Sequence, residues 1–346
     1  IFKQFVGGET MEETAPVAKK LGAYNVQVIL DYGVEGKEGE EAFNAACEQF
    51  IKVIKYAATQ PNIPFMSVKV TGIARFALME KVDEAMRSGQ SLGLVARYHA
   101  AVQSLSTNEQ REWSNVFDRL QRICSTAAAS GVGVLIDAED SWIQDGVDAI
   151  TTIMMETYNK TKPVVYNTLQ LYRHDRLQFL KDSYAEAQAG RYILGAKLVR
   201  GAYMEKERER AAEKGYPSPI QPTKEATDRD YDAAVQFCVE HLTEIGLIVA
   251  SHNEQSNLLT TELLQQKGLP LNHPHVHFSQ LFGMSDNITF NLAAAGCSVS
   301  KYLPFGPIKD VIPYLMRRAQ ENTSVKGQTG RELGLIKIEL DRRSGK

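Results

Sequence analysis

Two adjacent arginines near the end of the chain set the chemistry to be explained. In YLPFGPIKDVIPYLMRRAQEN, residues 302–322, a helix beginning after Pro307 carries Tyr314, Arg317, Arg318 and Glu321 on one face, at i, i+3, i+4 and i+7. A guanidinium is a planar fork of N–H donors that meets a carboxylate through two parallel hydrogen bonds. Glu321, four residues after Arg317, stands where it would hold that fork in place. Such a face predicts recognition of a small carboxylate. The competing reading is a solvated helix with an ordinary surface ion pair, and the rest of the chain decides between them.

Polar residues that interrupt or end apolar runs narrow the choice. Lys69 lies in FMSVKV and Lys197 in GAKLVR, where an ammonium is costly to bury without a partner or an anionic ligand. Asp31, Asp137 with Glu139, Asn167 with Gln170, Arg200, His252 with Asn253, Ser279 with Gln280, and Tyr302 stand at comparable places. HPHVH puts His273, His275 and His277 on one side of a strand, but they start that run rather than end it, so no metal site is expected. There is no CxxC, no GxSxG elbow and no cysteine at a strand end. A Schiff-base role for Lys197, its pKa depressed by Arg200, is chemically open, but nothing else in the sequence calls for an imine. GxGxxG is absent as well, since GVGVL at 131–135 leads into a strand. A dinucleotide would therefore meet Lys197, Arg200 and Lys224, the hydroxyls of Thr223 and Thr227, and the donors of HNEQS.

These residues are spaced by a repeating pattern of elements. Eight short runs recur: NVQVIL (25–30), FMSVKV (65–70), VGVLID (132–137), PVVYNT (163–168), GAKLVR (195–200), LIVASH (247–252), VHFSQL (276–281) and CSVSKYL (297–303). Helical periodicity fills the intervals, as in EEAFNAACEQFIKVIKYAA. Strands alternating with helices imply a parallel sheet, and eight units can close a (β/α)8 barrel, with the doubly wound open sheet as competitor. The runs are continuously apolar, as strands buried on both faces must be, which favours the barrel. One domain over 1–346 is expected, with 1–24 a helical lead-in and 72–131 a helical insertion. In that insertion SLSTNEQREWSNVF suggests Thr107 as N-cap and Gln110 at the capping-box position. Residues 204–224 read as a charged helix followed by a Pro-rich loop of the kind that covers ligands.

Composition agrees with small-molecule chemistry. The 346 residues are 43% hydrophobic and 23% charged with a net charge of -3, which leaves no electrostatic footprint for nucleic acid. Cys47, Cys124, Cys238 and Cys297 are far apart and suggest a reducing compartment. No apolar run is long enough to span a bilayer and no signal peptide is visible. Because the chain begins at Ile1, a targeting segment upstream is allowed for.

KLVRGAYMEKER (197–208), GYPSPIQPTKEATDRDYD (215–232), ASHNEQS (250–256), FSQLFGM (278–284) and the arginine helix, in that order, resemble the motif series of the FAD-dependent proline dehydrogenases. The resemblance runs from Lys69 to Asn322. It implies a distorted (β/α)8 barrel, an α/β fold, that binds FAD and oxidises L-proline to Δ1-pyrroline-5-carboxylate. Hydride passes from proline C5 to flavin N5, and electrons go on to a membrane quinone. It further implies Lys69, Asp137, Arg317, Arg318 and Glu321 as the residues acting on the substrate, with the arginines clamping its carboxylate. Lys69, Tyr203, Leu281, Tyr302 and Tyr314 would line the ring pocket. Flavin contacts would come from Asp137, Ala138, Asn167, Gln170, Lys197, Val199, Gly201, Ala202, Tyr203, Lys224, His252, Asn253, Leu281, Arg318 and Glu321, and no metal is involved.

Departures locate the chain within that family. Bifunctional members have arginine at the position of Lys197 and lysine at that of Arg200, so the chain resembles the monofunctional and mitochondrial-type branch. Its length leaves no room for their aldehyde dehydrogenase module. Hydroxyproline-oxidising relatives have a smaller residue in place of Tyr302, so the tyrosine favours proline. The alternatives are a hydroxyproline dehydrogenase, a methylenetetrahydrofolate reductase-like flavin barrel, or a catalytically dead scaffold. Expected partners are L-proline, the quinone and a downstream pyrroline-5-carboxylate dehydrogenase. The expected location is a bacterial cytoplasm with peripheral inner-membrane contact, or else the mitochondrial matrix.

Overall fold

The computed structural model describes residues 2–33, 37–88, 93–324 and 328–344; within these, the side chains of 320–324, 328–333, 335 and 336 are not described. Each of the eight apolar runs forms a strand, and the strands close a parallel barrel in chain order. They are β1 (Gln27–Tyr32), β2 (Phe65–Val68), β3 (Gly133–Ile136), β4 (Val165–Gln170), β5 (Leu194–Val199), β6 (Ile245–Ala250), β7 (Val276–Leu281) and β8 (Val299–Phe305), with β8 pairing back onto β1.

The continuous apolarity of the runs has a two-sided cause. Outward side chains such as Val28, Leu30, Met66, Val134 and Val299 join the large core under the helices. Inward ones, Ile29, Leu135, Tyr166, Ile248 and Tyr302, pack into a separate cluster that fills the barrel. Above that cluster the inward positions turn polar, so the strand ends become a site.

Helices α1 (Phe2–Phe5) and α2 (Met11–Gly22) precede β1, and α3 (Glu40–Ala58) returns the chain to β2. Three helices, α4 (Phe76–Arg87), α5 (Leu94–Ser104) and α6 (Thr107–Ser130), occupy the interval before β3. The cap of α6 sits one residue earlier than expected. Ser106 is the N-cap, and the Glu109 carboxylate accepts from its backbone N–H at 3.1 Å, because Glu109 rather than Gln110 is three residues on. Helices α7 (Ser141–Tyr158) and α8 (Arg176–Gly190) follow β3 and β4. After β5 come α9 (Met204–Lys214) and the Pro-rich loop, which lies against the segment after β4: Gln221 N–H donates to Tyr172 O at 2.6 Å and His174 N–H to Pro219 O at 3.0 Å. Next are α10 (Lys224–Glu240), α11 (Glu254–Gln266) and α12 (Asp286–Ala294), with α13 (Ile308–Ser324) and α14 (Gln328–Ser344) closing the chain.

The start of α13 is fixed by the backbone around it. Gly7 N–H donates to Pro304 O at 2.8 Å, Gly33 N–H to Phe305 O at 2.9 Å, and Gly306 N–H to Gly8 O at 3.1 Å. Gly306, at φ +142°, makes the turn a side chain would strain. The histidine cluster lies at the other end of the barrel. His277 is buried on β7 with Nε2 2.6 Å from Ser300 Oγ, and His275 Nδ1 is 2.6 Å from Leu242 O. Among the described residues no group of three or more His, Cys, Asp or Glu could hold a metal ion, and no helix is long and apolar enough to cross a membrane.

Candidate active site

Asp137 stands one residue past the end of β3, on the wall of a cavity of ≈ 660 Å³ at the C-terminal ends of the strands. Its Oδ1 accepts from Lys197 Nζ at 2.6 Å, and its Oδ2 from Lys69 Nζ at 3.1 Å and from the Tyr302 hydroxyl at 2.6 Å. Strand register produces this convergence, because β2, β3, β5 and β8 each present an inward side chain in the same layer. Burial alone would push the Asp137 carboxyl up, but Lys197 and Lys69, with the hydrogen bonds from Lys197 and Tyr302, override it and hold it below the usual carboxylate range. The Tyr302 phenol goes the other way, raised well above its ordinary value by burial and then by the carboxylates of Asp137 and Asp31. The two lysines inside apolar runs are thus partnered by the same carboxylate.

Lys197 and Arg200 occupy different surroundings. Lys197 is buried, with Nζ 5.1 Å from the Tyr302 ring centre. Arg200 lies at the rim on a full set of partners: Asp228 at 2.7 Å, Ser251 Oγ at 2.8 Å and Ser256 Oγ at 3.0 Å, with its guanidinium over the Tyr231 ring at 4.3 Å. Arg200 therefore braces β5 against α10 and α11, while Lys197 faces the cavity interior.

The N-terminus of α11 opens onto this side. Asn253 is its N-cap, with Oδ1 accepting from the backbone of Gln255 at 2.9 Å and Ser256 at 3.2 Å. His252 is half-buried with Nδ1 2.9 Å from Ser285 Oγ; desolvation, then Lys301, Arg318 and Arg200, push its imidazole down to about 3, so the ring is neutral at physiological pH. Lys224 begins α10 and ion-pairs with Asp228.

The arginine-bearing face of α13 is also at this cavity. Tyr314, Arg317 and Arg318 of α13 all line it, with Arg318 buried and Arg317 half-buried. The Arg317 guanidinium lies 5.4 Å from the Tyr203 ring centre and that of Arg318 5.0 Å from Tyr314. Glu321 falls within α13, but its side chain lies outside the described residues.

Of the other residues expected here, Ala138, Gln170, Val199, Gly201, Ala202 and Leu281 line the cavity. Asn167 does not. It points away from the barrel interior, with Nδ2 donating to Asp148 on α7 at 2.9 Å, and the inward position of β4 belongs to Thr168, which lines the cavity. The reason is strand parity, since neighbours on a strand face opposite sides. Ser251, Met284 and Gln255 also line the cavity. Gln255 and Ser251 lay within the ASHNEQS motif and Met284 ends FSQLFGM, but none of the three was assigned a role of its own from the sequence.

Residues 15–331 match the family model described as proline dehydrogenase. Proline dehydrogenase 1, mitochondrial, of Dictyostelium discoideum is 34% identical over 371 residues, spanning 99% of this chain and 64% of that protein. The hydroxyproline dehydrogenase of Xenopus laevis is 33% identical over 361 residues, spanning 99% of this chain and 78% of that one. Carbapenem antibiotics biosynthesis protein CarD of Pectobacterium carotovorum subsp. carotovorum is 34% identical, covering 98% of this chain and 83% of its own. Among solved structures, proline utilization A (PutA) from Bdellovibrio bacteriovorus shares the fold with a TM-score of 0.79 at 21% identity, over 94% of this chain and 33% of its own. This chain therefore spans just under two thirds of the Dictyostelium relative and a third of that structural neighbour. The chain belongs to the proline dehydrogenase family.

Proposed function

We propose that the chain oxidises L-proline to Δ1-pyrroline-5-carboxylate with FAD bound in the barrel, and that the electrons go on to a membrane quinone. One observation carries the reading: two guanidiniums from α13 and the Lys69–Asp137–Tyr302 cluster line one cavity. That arrangement suits a small zwitterion, with its carboxylate on the arginines and its ring against the cluster.

The residues present fit a flavin dinucleotide. Thr168 Oγ1 is buried at the cavity with no hydrogen-bond partner among the described residues, which is the mark of an atom awaiting one. The α10 and α11 N-termini, with Lys224 and the Asn253 cap, give the donors a pyrophosphate takes. Gly201, at φ +135°, would set a Cβ 2.6 Å from the Tyr172 ring, so only glycine lets the backbone take this course beside the cavity. Gly201→Ala carries strain of roughly 1–3 kcal/mol and is expected to purify with roughly tenfold less bound flavin, read from the visible-to-protein absorbance ratio. A fully yellow variant would remove Gly201 from the cofactor set.

When bound, the flavin supplies the two-electron acceptor for the hydride leaving proline C5. The chain's own residues do the rest. Arg317 and Arg318 hold the carboxylate, while Tyr203, Leu281 and Tyr314 wall the ring and exclude water. Lys69 and Asp137 give the ring nitrogen polar contacts of both signs. Tyr302 carries its hydroxyl pinned by Asp137 at 2.6 Å and Ser67 at 2.9 Å, which leaves little slack for a 4-hydroxyl and favours proline over hydroxyproline. The reading treats residues 1–346 as one catalytic domain, whose product a pyrroline-5-carboxylate dehydrogenase would consume. It also makes the enzyme peripheral to a membrane; the word mitochondrial in the names of the Dictyostelium and Arabidopsis relatives favours that organelle over a bacterial cytoplasm.

Anaerobic titration of the purified protein with L-proline, with trans-4-hydroxy-L-proline in parallel, tests this. Bleaching of the flavin band by proline at much lower concentration than by hydroxyproline is expected. A band that proline leaves oxidised would mean that the arginine pair serves another carboxylate.

A further inference from the structure

Two buried groups that do not line the cavity act on it only through Tyr302 and Lys69. Asp31 lies near the end of β1 and Ser67 on β2, and both are buried without lining the cavity. The β1–β2 register sets them directly opposite one another. Ser67 Oγ is 2.8 Å from Asp31 Oδ1 and 2.9 Å from the Tyr302 hydroxyl, so its single proton lies between a carboxylate and a phenol. Lys69 Nζ is 3.4 Å from the same Asp31 oxygen and 3.4 Å from the Tyr302 hydroxyl. Neither residue was expected to act on the substrate, yet each touches a group that does.

Charges of both signs meet in this layer. Asp31 from β1 and Asp137 after β3 face Lys69 after β2 and Lys197 on β5, two carboxylates against two ammoniums. Among the described residues, the other titratable groups of the barrel interior that pack against this layer are Tyr302 on β8, Tyr166 on β4 and His277 on β7. Burial holds Tyr166 protonated and His277 neutral. Arg317 and Arg318 of α13 face the cavity from above. Removing Asp31 alone would leave the cluster with a surplus positive charge beneath the substrate's ring nitrogen.

We propose that Asp31 and Ser67 are positioning residues for the oxidation: Asp31 sets the charge balance at the ring nitrogen by neutralising Lys69, and Ser67 fixes the hydroxyl of Tyr302. The inference rests on the proline-oxidation reading. The ring nitrogen arrives as an ammonium and must give one proton to water before its lone pair can form the C=N bond. The C5–H bond then breaks, and its electron pair leaves as hydride to the bound acceptor. A carboxylate nearby makes every neighbouring proton harder to lose, so Asp31 sets where in pH that deprotonation falls.

The sign follows directly. In Asp31→Asn the negative charge is gone while the hydrogen-bonding shape stays, so both the substrate ammonium and the Tyr302 phenol lose their protons more readily. The profile of kcat against pH should slide acidward by about one unit. Ser67→Ala keeps the charge and frees the hydroxyl. Its profile should stay in place while KM for proline rises about fivefold and the preference for proline over trans-4-hydroxy-L-proline falls by a similar factor.

Both variants and Asp31→Glu would be measured across pH beside wild type, with flavin content and thermal midpoint recorded for each. Asp31→Glu, which keeps the charge, should return the profile to its wild-type position. An Asp31→Asn profile that overlays wild type overturns the charge role, and unchanged KM and selectivity in Ser67→Ala overturn the Ser67 role. Should Asp31→Asn fail to fold, Ser67→Ala still decides its own half, and Asp31→Glu must then leave the profile where wild type has it, a displaced one counting against Asp31. If wild type itself fails to oxidise proline, the functional reading fails first, so the two failures are distinguishable.

Discussion

Arg318→Met is expected to lose proline turnover while keeping its flavin, and Arg317→Met to keep turnover at a KM for L-proline roughly 10- to 150-fold higher. Both residues line the cavity, but Arg318 is buried and Arg317 half-buried, so their hydrogen bonds to a carboxylate differ in worth. A charge-assisted pair at a partly wet site contributes roughly 1.5–3 kcal/mol. Truncating one member of a desolvated charge pair costs roughly 2–5 kcal/mol, about 30- to 5,000-fold in kcat/KM, so Arg318→Met is expected to lose more than Arg317→Met. Methionine fills much of the arginine stem's volume, so the effect reads charge rather than packing. Steady-state kinetics with flavin content measured on the same preparation would decide it. Unchanged kinetics in both would return the pair to surface decoration, and equal losses in the two would remove the distinction by burial.

The barrel was legible because its strands are buried twice. A run such as VGVLID cannot face water on either side, and eight such runs spaced by helices leave few arrangements besides a closed parallel sheet. Lys69 and Lys197 were legible as cations in need of a partner for the same reason, since an ammonium in such a run is costly to bury alone, and Asp137 pairs with both. The histidines of HPHVH were separable from the site because they open their strand rather than end it. What failed was parity. Sequence places a strand to within a residue or two, and one residue is the difference between Asn167 reaching outward to Asp148 and Thr168 reaching inward to the cavity. The α6 cap failed likewise, by the step from Thr107 to Ser106. Asp31 and Ser67 were invisible as a pair because they are 36 residues apart and meet only through strand pairing.

Asp137→Ala should be the most destabilising single change in the site. Its carboxylate holds two buried ammoniums and the Tyr302 hydroxyl within 3.1 Å. Among the described residues, removing it leaves Lys197 buried beside the Tyr302 ring face, and Lys69 within 3.4 Å of Asp31 and of the Tyr302 hydroxyl. Breaking a buried pair in this way costs roughly 3–5 kcal/mol, readable as a lower denaturant midpoint at neutral pH. The pH dependence separates this cause from a simple packing defect. The folded-state carboxyl is held below its ordinary value, so its contribution is fully present above the ordinary carboxylate pKa near about 4 and is lost as pH falls through the folded value. The gap between wild type and variant should therefore be constant from about pH 5 to neutrality and shrink on acidification below about pH 4. A cavity left by the side chain would weaken the protein equally at every pH. A gap that stays flat on acidification would thus assign Asp137 to packing, and the charge cluster at the strand ends would lose its centre.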